Sequence, residues 1–236
     1  MIKIKNVQIG FSTILFSIEN LILEKGKLYT LIGKNGVGKS TFLKTLAEIT
    51  PPFKEFIQWD NDLPKEHRIA FVSSKFDGIE HLTTYEYIAL GRAPFTNIFG
   101  KLTPIDHSKI IEISNLLNIK HLLNKVTTEI SDGERQIASI AKAIAQNTEL
   151  IILDEPIAFL DYENKIMIIK MLTKITKERN CCIIHSSHDL DISIEFADEI
   201  LIVNPIEKEL IQVDKKINNR EETIKLAFPN VLFSNI

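Results

Sequence analysis

Four chemically suited residues stand close together near the start of this chain. Gly33 is followed, after four intervening residues, by Gly38, Lys39 and Ser40, which is the spacing of a phosphate-binding loop. Glycine tolerates backbone torsions and close approaches that a Cβ would forbid, so peptide N–H groups can turn toward phosphate oxygens. Lys39 then supplies a cation for the β- and γ-phosphates, and the Ser40 hydroxyl is an oxygen ligand suited to Mg²⁺. A turn that binds nothing is the weaker interpretation, because a strand-like run precedes the loop and a helix-like stretch follows it.

Two adjacent carboxylates, Asp154 and Glu155, directly follow the apolar run 150–153. In a parallel sheet, ligands bind beyond the carboxyl ends of the strands, where a phosphate-binding loop also lies. Asp154 is therefore a candidate to hold Mg²⁺, directly or through water, beside Ser40. Glu155 is a candidate to accept a proton from a water that attacks the γ-phosphate. An acidic pair at a strand end can also cap a helix, which is the better interpretation of the pair in isolation.

A helix-start pattern covers residues 131–136, Ser-Asp-Gly-Glu-Arg-Gln. Ser131 suits the N-cap position, and Glu134 suits the capping-box position three residues later. Gly133 leaves room for an anion at the helix N-terminus. An ordinary helix cap explains these residue types at least as well, so the pattern taken locally favours a cap over a ligand site.

Two histidines, His185 and His188, stand at the end of the apolar run 181–184. Either imidazole could donate a hydrogen bond to a γ-phosphate when its other nitrogen is held by a partner. A histidine at a strand end is more often structural. The residues alone leave open which of the two meets a ligand.

Composition and charge are those of an ordinary globular chain, with 44% hydrophobic and 25% charged residues. A net charge of −3 and the lack of a basic block argue against nucleic acid as a partner. No apolar run approaches the roughly 20 residues of a membrane-spanning helix, and the N-terminus lacks a signal peptide's apolar region. We therefore expect a cytoplasmic protein. Cys181 and Cys182 are adjacent, which favours small buried residues over a disulfide or a metal site.

The order of the patterns predicts an α/β protein. Short strands are expected in residues 1–27, and strand and helix patterns alternate from 148 to 204. Strands of nearly continuous apolar character between helices are typical of a parallel sheet covered on both faces. Residues 75–147 contain helical patterns without strands, which favours an inserted helical subdomain.

Taken in order and spacing, these patterns resemble the ATP-binding subunit of an ABC transporter, and the likeness covers nearly the whole chain. Residues 33–41 match the Walker A pattern, 150–156 the Walker B pattern and 131–136 the ABC signature. Residues 158–161, Ala-Phe-Leu-Asp, resemble the D-loop, and His188 resembles the switch histidine. Phosphate-binding loops occur in many NTPases, whereas this series of motifs is specific to the family.

The resemblance implies a P-loop NTPase core with a mostly parallel sheet, an antiparallel N-terminal β layer and an inserted helical subdomain. It also implies a single ATP-binding domain over residues 1–236. The RecA-like core would comprise about 1–74 and 148–204, the helical subdomain about 75–147, and the C-terminal tail 205–236.

The resemblance further implies ATP and Mg²⁺ as cofactors and a role for each site residue. The catalytic residues would be Glu155 and His188, the magnesium ligands Ser40 and Asp154, and the D-loop residue Asp161. The signature residues that contact the ATP of a second copy would be Ser131, Gly133 and Glu134. The nucleotide-binding residues would be Phe11, Gly33, Asn35, Gly36, Val37, Gly38, Lys39, Ser40 and Thr41. From the residues alone, Phe11 fits core packing as well as stacking on adenine.

In this family two such domains dimerise head to tail, with each ATP between the P-loop of one copy and the signature of the other. The implied partners are a second copy of this chain, membrane permease subunits and, indirectly, a periplasmic or surface binding protein. The chain would then lie at the inner face of the cell membrane. Residues 82–94, which end in Gly-Arg-Ala-Pro, resemble a sequence passage found in the ATP-binding subunits of importers for iron–siderophore, haem and cobalamin. The alternatives are another cargo, such as a metal ion or an export substrate, and a soluble ABC ATPase that does not transport.

Four positions depart from the family pattern, one of them Ile130, a conservative replacement of leucine in the signature. Ser74 stands where the family has the Q-loop glutamine that senses Mg²⁺, and its shorter side chain suits a contact through water better than a direct one. Phe11 replaces the commoner tyrosine and keeps the ring face. Asp132 adds a negative charge close to where phosphate is expected, and we find no account in the sequence of how that charge is offset.

Overall fold

The structure, a computed structural model, describes residues 2–54, 57–59, 65–213 and 220–229. The chain divides into two compact units, residues 1–62 with 172–236 and residues 63–171. The boundaries expected from the sequence for the core, the helical subdomain and the tail stay predictions.

In chain order the elements are β1 (Ile2–Gly10), β2 (Ile14–Leu23), β3 (Leu28–Ile32), α1 (Lys39–Leu46), β4 (Gln58–Trp59), α2 (Lys65–Arg68), β5 (Ile69–Val72), α3 (Thr84–Ala89), α4 (Pro104–Leu116), α5 (Asp132–Ala145), β6 (Leu150–Leu153), α6 (Tyr162–Arg179), β7 (Cys182–Ser186), α7 (Leu190–Phe196), β8 (Glu199–Asn204), β9 (Glu209–Val213) and α8 (Arg220–Ala227). Two 3₁₀ helices, Leu90–Phe95 and Lys120–Leu122, lie between α3 and α5 in the chain. This mixture of strands and helices is the α/β class that the sequence predicts.

The strands of the first unit follow the order β4-β1-β2-β9-β8-β3-β7. β3 pairs in parallel with β7 on one side and with β8 on the other, and all five of its residues are buried. Burial on both faces explains why β3 has a nearly continuous apolar sequence. The carboxyl ends of these three strands lie at the same edge of the sheet. The chain segments that follow the strands therefore begin close to one another.

The N-terminal layer is antiparallel, as expected. β1 pairs with β2 along its length and with β4 on its other edge. The sequence predicts several short strands over residues 1–27, whereas the structure has two long ones. The polar residues of β1 and β2 are mostly exposed or half-buried, so the apparent breaks are the alternation of half-buried strands.

The tail contains a strand that the sequence prediction lacks. β9 pairs antiparallel with β8 and meets β2 through one parallel bridge. Val213 of β9 and Ala227 of α8 join an apolar cluster that includes Ile32 at the end of β3. Local patterns could not reveal β9 because its pairing partners stabilise it. Residues 214–219 and 230–236 of the predicted tail lie outside the described residues.

The second unit pairs β5 and β6 in parallel, with Val72 opposite Leu153 at their carboxyl ends. Three of its helices begin with reciprocal side-chain caps: Thr83 with Glu86 at α3, Thr103 with Asp106 at α4, and Ser131 with Glu134 at α5. In each cap the hydroxyl accepts from a backbone N–H of the first turn, which satisfies a donor that a helix start leaves without a partner.

The 3₁₀ helix between α3 and α4 is clamped onto α5 by its glycine and its arginine. A Cβ on Gly91 would lie 2.2 Å from the carbonyl oxygen of Lys142, so glycine is required for this approach. Arg92 is 4% exposed; its Nε donates to Asp106 Oδ1 at 2.8 Å, and its Nη1 donates to the Ala145 carbonyl oxygen at 2.7 Å. These two residues therefore tie α4 and α5 to the segment that joins α3 to α4.

Replacing Arg92 with alanine should destabilise the protein by about 3–5 kcal/mol, because the Asp106 carboxylate stays buried after losing its cation. Hydrogen bonds from Thr103, joined by Arg92, hold the pKa of Asp106 at about 2, so this carboxylate is charged at neutral pH. Urea unfolding at pH 7 measures the change in the free energy of unfolding.

The matched control is Lys174→Ala, which removes the exposed partner of Glu178 on α6. Because that ion pair is exposed, the control should change the free energy of unfolding by less than about 0.5 kcal/mol. An Arg92→Ala variant as stable as the control variant would contradict the account of a buried clamp.

Candidate functional site

The phosphate-binding loop leaves the buried strand β3 at its carboxyl end, so the loop starts from a fixed point. Gly36 and Gly38 have φ angles of 79° and 110°, in the left-handed region that glycine adopts most readily. A Cβ on Gly38 would lie 3.0 Å from Leu15 Cδ1 and 3.1 Å from Phe16 Cε1, both on β2. Gly38 is also the N-cap residue of α1. The backbone path therefore requires glycine at these two positions.

Lys39 lies inside the curve of this loop. The residue is 6% exposed, and its Nζ donates to the carbonyl oxygens of Gly33 at 2.7 Å and Lys34 at 3.2 Å. Ser40 is exposed in the first turn of α1, where peptide N–H groups have no partner within the helix. Of the other predicted loop residues, Asn35 is exposed and Val37 and Thr41 are half-buried. An ammonium group, a hydroxyl and a helix start are therefore adjacent just beyond the end of β3.

Phe11 lies at the turn between β1 and β2 and is 64% exposed. The turn is tight, since a Cβ on Gly10 would lie 2.1 Å from the carbonyl oxygen of Thr13. Core packing, one of the two interpretations that the residues left open, is therefore excluded. The exposed ring is accessible for stacking, and its contact with adenine stays a prediction.

The structure distinguishes the two histidines. His185 lies within β7, is fully buried and shares a hydrogen bond of 2.7 Å with Thr30 Oγ1 on β3. Burial lowers the pKa of His185 to about 4, so its imidazole is neutral at neutral pH. His188 lies beyond the end of β7 and is exposed. Of the two, His188 is therefore the one that a ligand can reach.

Asp154 and Glu155 leave β6 with different backbone conformations. The Asp154 N–H donates to the carbonyl oxygen of Val72 at 2.9 Å, which extends the pairing with β5, and Asp154 is 4% exposed. Glu155 is half-buried and has a φ of 49°, a left-handed conformation that costs a residue with a side chain about 1–2 kcal/mol. Ser74, the expected Q-loop position, is half-buried two residues after β5. These residues belong to the second compact unit, whereas Lys39 belongs to the first.

The predicted signature opens α5 with a reciprocal cap. The Glu134 N–H donates to Ser131 Oγ at 3.3 Å, and the Glu134 carboxylate accepts from the Ser131 N–H at 2.8 Å and from its hydroxyl at 2.9 Å. The bond from the Ser131 N–H is the main cause that lowers the pKa of Glu134. The helix cap that the local pattern favours is therefore present, and the anion-binding role of the same helix start stays a prediction.

The signature and the D-loop segment share one cavity. A Cβ on Gly133 would lie 3.1 Å from both Leu160 Cδ2 and the Phe159 carbonyl oxygen, so glycine allows the two segments to pack closely. The cavity between them has a volume of about 340 Å³. Its lining brings together four predicted site residues with five others: Ser131, Gly133, Glu134 and Asp161, with Asp132, Ile137, Phe159, Leu160 and Asn164. Asp161 also caps α6, since its Oδ1 accepts from the Asn164 N–H at 2.9 Å.

One residue beside this cavity is absent from the sequence prediction. Arg135 forms an ion pair with Asp132, and its Nη1 donates to the carbonyl oxygen of Ile130 at 2.5 Å. Opposite charges three residues apart on a helix are a local signal that could have indicated the pair. The ion pair offsets the Asp132 charge for which the sequence offered no account.

Some kinds of site are absent from the part of the chain that the structure describes. None of the described helices is long and apolar enough to cross a membrane. Within the same ranges, no group of three or more His, Cys, Asp or Glu side chains is arranged to hold a metal ion. Cys181 and Cys182 are buried free thiols, as the sequence predicts.

Comparisons with known proteins agree on one family. A family model described as ABC transporter matches residues 17–158. An uncharacterized ABC transporter ATP-binding protein of Methanocaldococcus jannaschii is 35% identical over 213 residues, which cover 86% of this chain and 73% of that protein. The iron(3+)-hydroxamate import ATP-binding protein FhuC of Bacillus subtilis is 32% identical over 187 residues, which cover 75% of this chain and 69% of that protein.

A solved structure of a metal-chelate type ABC transporter in an inward-facing conformation is also similar. It matches with a TM-score of 0.82 and 26% identity, over 95% of this chain and 88% of that one. The similarity confirms the predicted fold class, a P-loop NTPase core that combines parallel and antiparallel strands.

The stability of the protein should depend on pH through His185. Above its ordinary pKa of 6.5 the imidazole is neutral in the folded and the unfolded chain, so the stabilising contribution of the buried ring is complete. As the pH falls from 6.5 to about 4, His185 binds a proton only in the unfolded chain, so the free energy of unfolding decreases by up to about 3 kcal/mol. Urea unfolding between pH 7 and pH 4 measures this loss.

Two variants isolate the contribution of this one histidine. His185→Gln retains a polar partner for Thr30 but cannot titrate, so its free energy of unfolding should fall less steeply with decreasing pH than that of the wild type. Thr30→Ser keeps both a hydroxyl partner and the titratable ring, so it should keep the wild-type slope. Equal slopes for His185→Gln and the wild type would contradict the assignment of a buried neutral imidazole.

Proposed function

The chain belongs to the family of ABC transporter ATP-binding proteins, and on this basis we propose that two copies bind ATP head to tail and hydrolyse it to drive an importer. The cavity beside Ser131 carries the proposal. It offers a hydroxyl and the N–H groups of a helix start, yet no lysine or arginine is among the described residues that line it. A triphosphate is held most strongly by charged donors, and the loop around Lys39 supplies one. The cavity is therefore suited to be half of a phosphate site that the loop of a second copy completes.

We assign the nucleotide to the loop half of this site. Lys39 and the N–H groups of residues 33–41 hold the phosphates, and the exposed ring of Phe11 stacks on adenine. The Ser40 hydroxyl and the Asp154 carboxylate fit Mg²⁺, which prefers oxygen ligands and needs only one or two carboxylates beside phosphate and water. When bound, Mg²⁺ would supply positive charge that offsets the charge of the phosphates.

Hydrolysis is assigned to Glu155 and His188. Glu155 accepts a proton from the water that attacks the γ-phosphate, and His188 donates a hydrogen bond to that phosphate. The left-handed φ of Glu155 supports this division of roles, because the chain changes direction at Glu155 while Asp154 still pairs with Val72. Ser74 would reach a bound Mg²⁺ through water. From the second copy, Ser131 and Gly133 contact the γ-phosphate, Glu134 completes the signature as the capping partner of Ser131, and Asp161 contributes from the D-loop.

An iron chelate, haem or cobalamin is the cargo class that we assign. One named relative imports iron(3+)-hydroxamate, and one similar structure is of the metal-chelate type, which supports this class. The passage at Gly91 and Arg92 supports it less, because the buried contacts of both residues already explain them. Membrane permease subunits would hold the chain at the inner face of the membrane, and a periplasmic or surface binding protein would deliver the cargo.

Replacing Glu155 with glutamine should lower the rate of ATP hydrolysis by about 10²–10⁴-fold, because the amide cannot accept the proton of the attacking water. ATP binding should persist, since the loop around Lys39 is unchanged. Phosphate release by the chain with its permease measures the rate. Glu163→Gln, an exposed carboxylate in the first turn of α6, is the matched control and should leave the rate unchanged. A Glu155→Gln chain as fast as this control would overturn the assignment of the base.

The cargo is tested by uptake in cells that lack this chain. We expect loss of uptake of a labelled iron–siderophore, haem or cobalamin, with recovery when the wild-type chain is restored and none with Lys39→Ala. Unchanged uptake of all three, with loss of a metal ion's uptake or of an export activity, would assign another cargo. Failure of the chain to co-purify with any membrane protein, together with unchanged transport, would favour a soluble ABC ATPase.

A further inference from the structure

Asp132 presents a carboxylate to the cavity where the proposed function brings a γ-phosphate. Its side chain is 67% exposed, and it lies next to Ser131 and Gly133 in the cavity lining. Like charges that approach within a few ångströms repel each other, so an isolated carboxylate here would oppose binding of ATP from a second copy. The site therefore needs a means of offsetting this charge.

Arg135 is built into the helix start in a way that meets this need. Its Nη1 donates to the carbonyl oxygens of Ile130 at 2.5 Å and Thr127 at 3.4 Å, which holds the guanidinium against the segment before α5. Its Nη2 forms the ion pair with Asp132. The arginine side chain is 16% exposed, so the cation is much less accessible than the carboxylate that it holds.

Other charged groups near Asp132 already have partners. Lys75 forms an ion pair of 2.7 Å with Asp77, whose hydrogen bond is the main cause that raises the pKa of Lys75. The Glu134 carboxylate is held by the N–H and the hydroxyl of the cap residue. Within the described ranges, Arg135 is therefore the cation that forms an ion pair with Asp132.

We propose that Arg135 is a positioning residue for ATP-driven closure of the dimer. It neutralises Asp132 and holds that carboxylate along the flank of α5, so that the first turn of the helix can receive the γ-phosphate of the second copy. The proposal rests on the proposed function, because it requires that ATP from a second copy reaches Ser131. A purely structural role, in which Arg135 only ties the preceding segment to the helix, is the alternative.

A double-mutant series separates the two roles. Variants that also carry Glu155→Gln are used to measure dimer formation by light scattering at increasing ATP concentrations. The same variants with wild-type Glu155 are used to measure the ATP concentration that gives half-maximal hydrolysis. Arg135→Gln should raise the ATP requirement by about tenfold or more, as expected when a carboxylate beside a phosphate loses its counter-charge. Asp132→Asn should bind ATP no more weakly than its parent. The double variant should return to the behaviour of Asp132→Asn, since no charge remains to be offset.

Rescue is the outcome that a structural role would not produce. An Arg135→Gln defect that persists in full beside Asp132→Asn overturns the proposal, and so does an Arg135→Gln chain with an unchanged ATP requirement. Arg135→Lys keeps the charge but loses the planar fork that bridges the Ile130 carbonyl oxygen and Asp132, so its ATP requirement should lie between those of Arg135→Gln and the parent.

Ser131→Ala distinguishes failure of this proposal from failure of the proposed function. Suppose that Ser131→Ala loses ATP-driven dimers and that Asp132→Asn does not rescue Arg135→Gln. This combination overturns only the role of Arg135. Normal dimers and normal hydrolysis in Ser131→Ala would overturn the role of the signature itself, and with it the inference about Arg135.

Discussion

The parallel pairing of β3 with β7 and β8 is the constraint on which the first unit's chemistry depends. Buried on both faces, β3 fixes the point at which the phosphate-binding loop begins, and β7 ends at the same edge two residues before His188. The loop then needs glycine where its backbone turns and a lysine that can fold back over its carbonyl groups. A glycine-rich loop followed by a helix start can hold a densely charged ligand through peptide N–H groups and the helix dipole.

The second unit prepares a different kind of surface from the same physical elements. The start of α5 is capped by its own side chains, and Gly133 brings the D-loop segment against it to leave a shared cavity. This cavity offers a helix N-terminus, and the ion pair with Arg135 offsets the charge of Asp132. In the proposed dimer, the loop around Lys39 of a second copy would provide the cation that the cavity lacks. The two surfaces are complementary, which is why we regard each as half of a site.

Much of this could be predicted from the sequence where the signal is local. The phosphate-binding loop, the strand before Asp154 and the cap at Ser131 depend on residues within a few positions of one another, and the structure has all three features. Features that depend on distant pairing could not be predicted. His185 differs from His188 because it is buried against Thr30, which lies 155 residues away in the chain. The strand β9 forms because it pairs with β8 and β2. Phe11 is exposed because of a tight turn that composition alone does not specify.

The most direct test of a site shared between two copies is a complementation experiment. A Lys39→Ala chain and a Ser131→Ala chain are co-expressed with the permease, and ATP hydrolysis by the mixed complex is compared with that of each variant alone. If each site combines the loop of one copy with the signature of the other, the mixed dimer retains one intact site, and its hydrolysis should clearly exceed that of either variant. Hydrolysis no greater than the average of the two variants would contradict the account, because it would mean that each chain uses its own loop and its own signature.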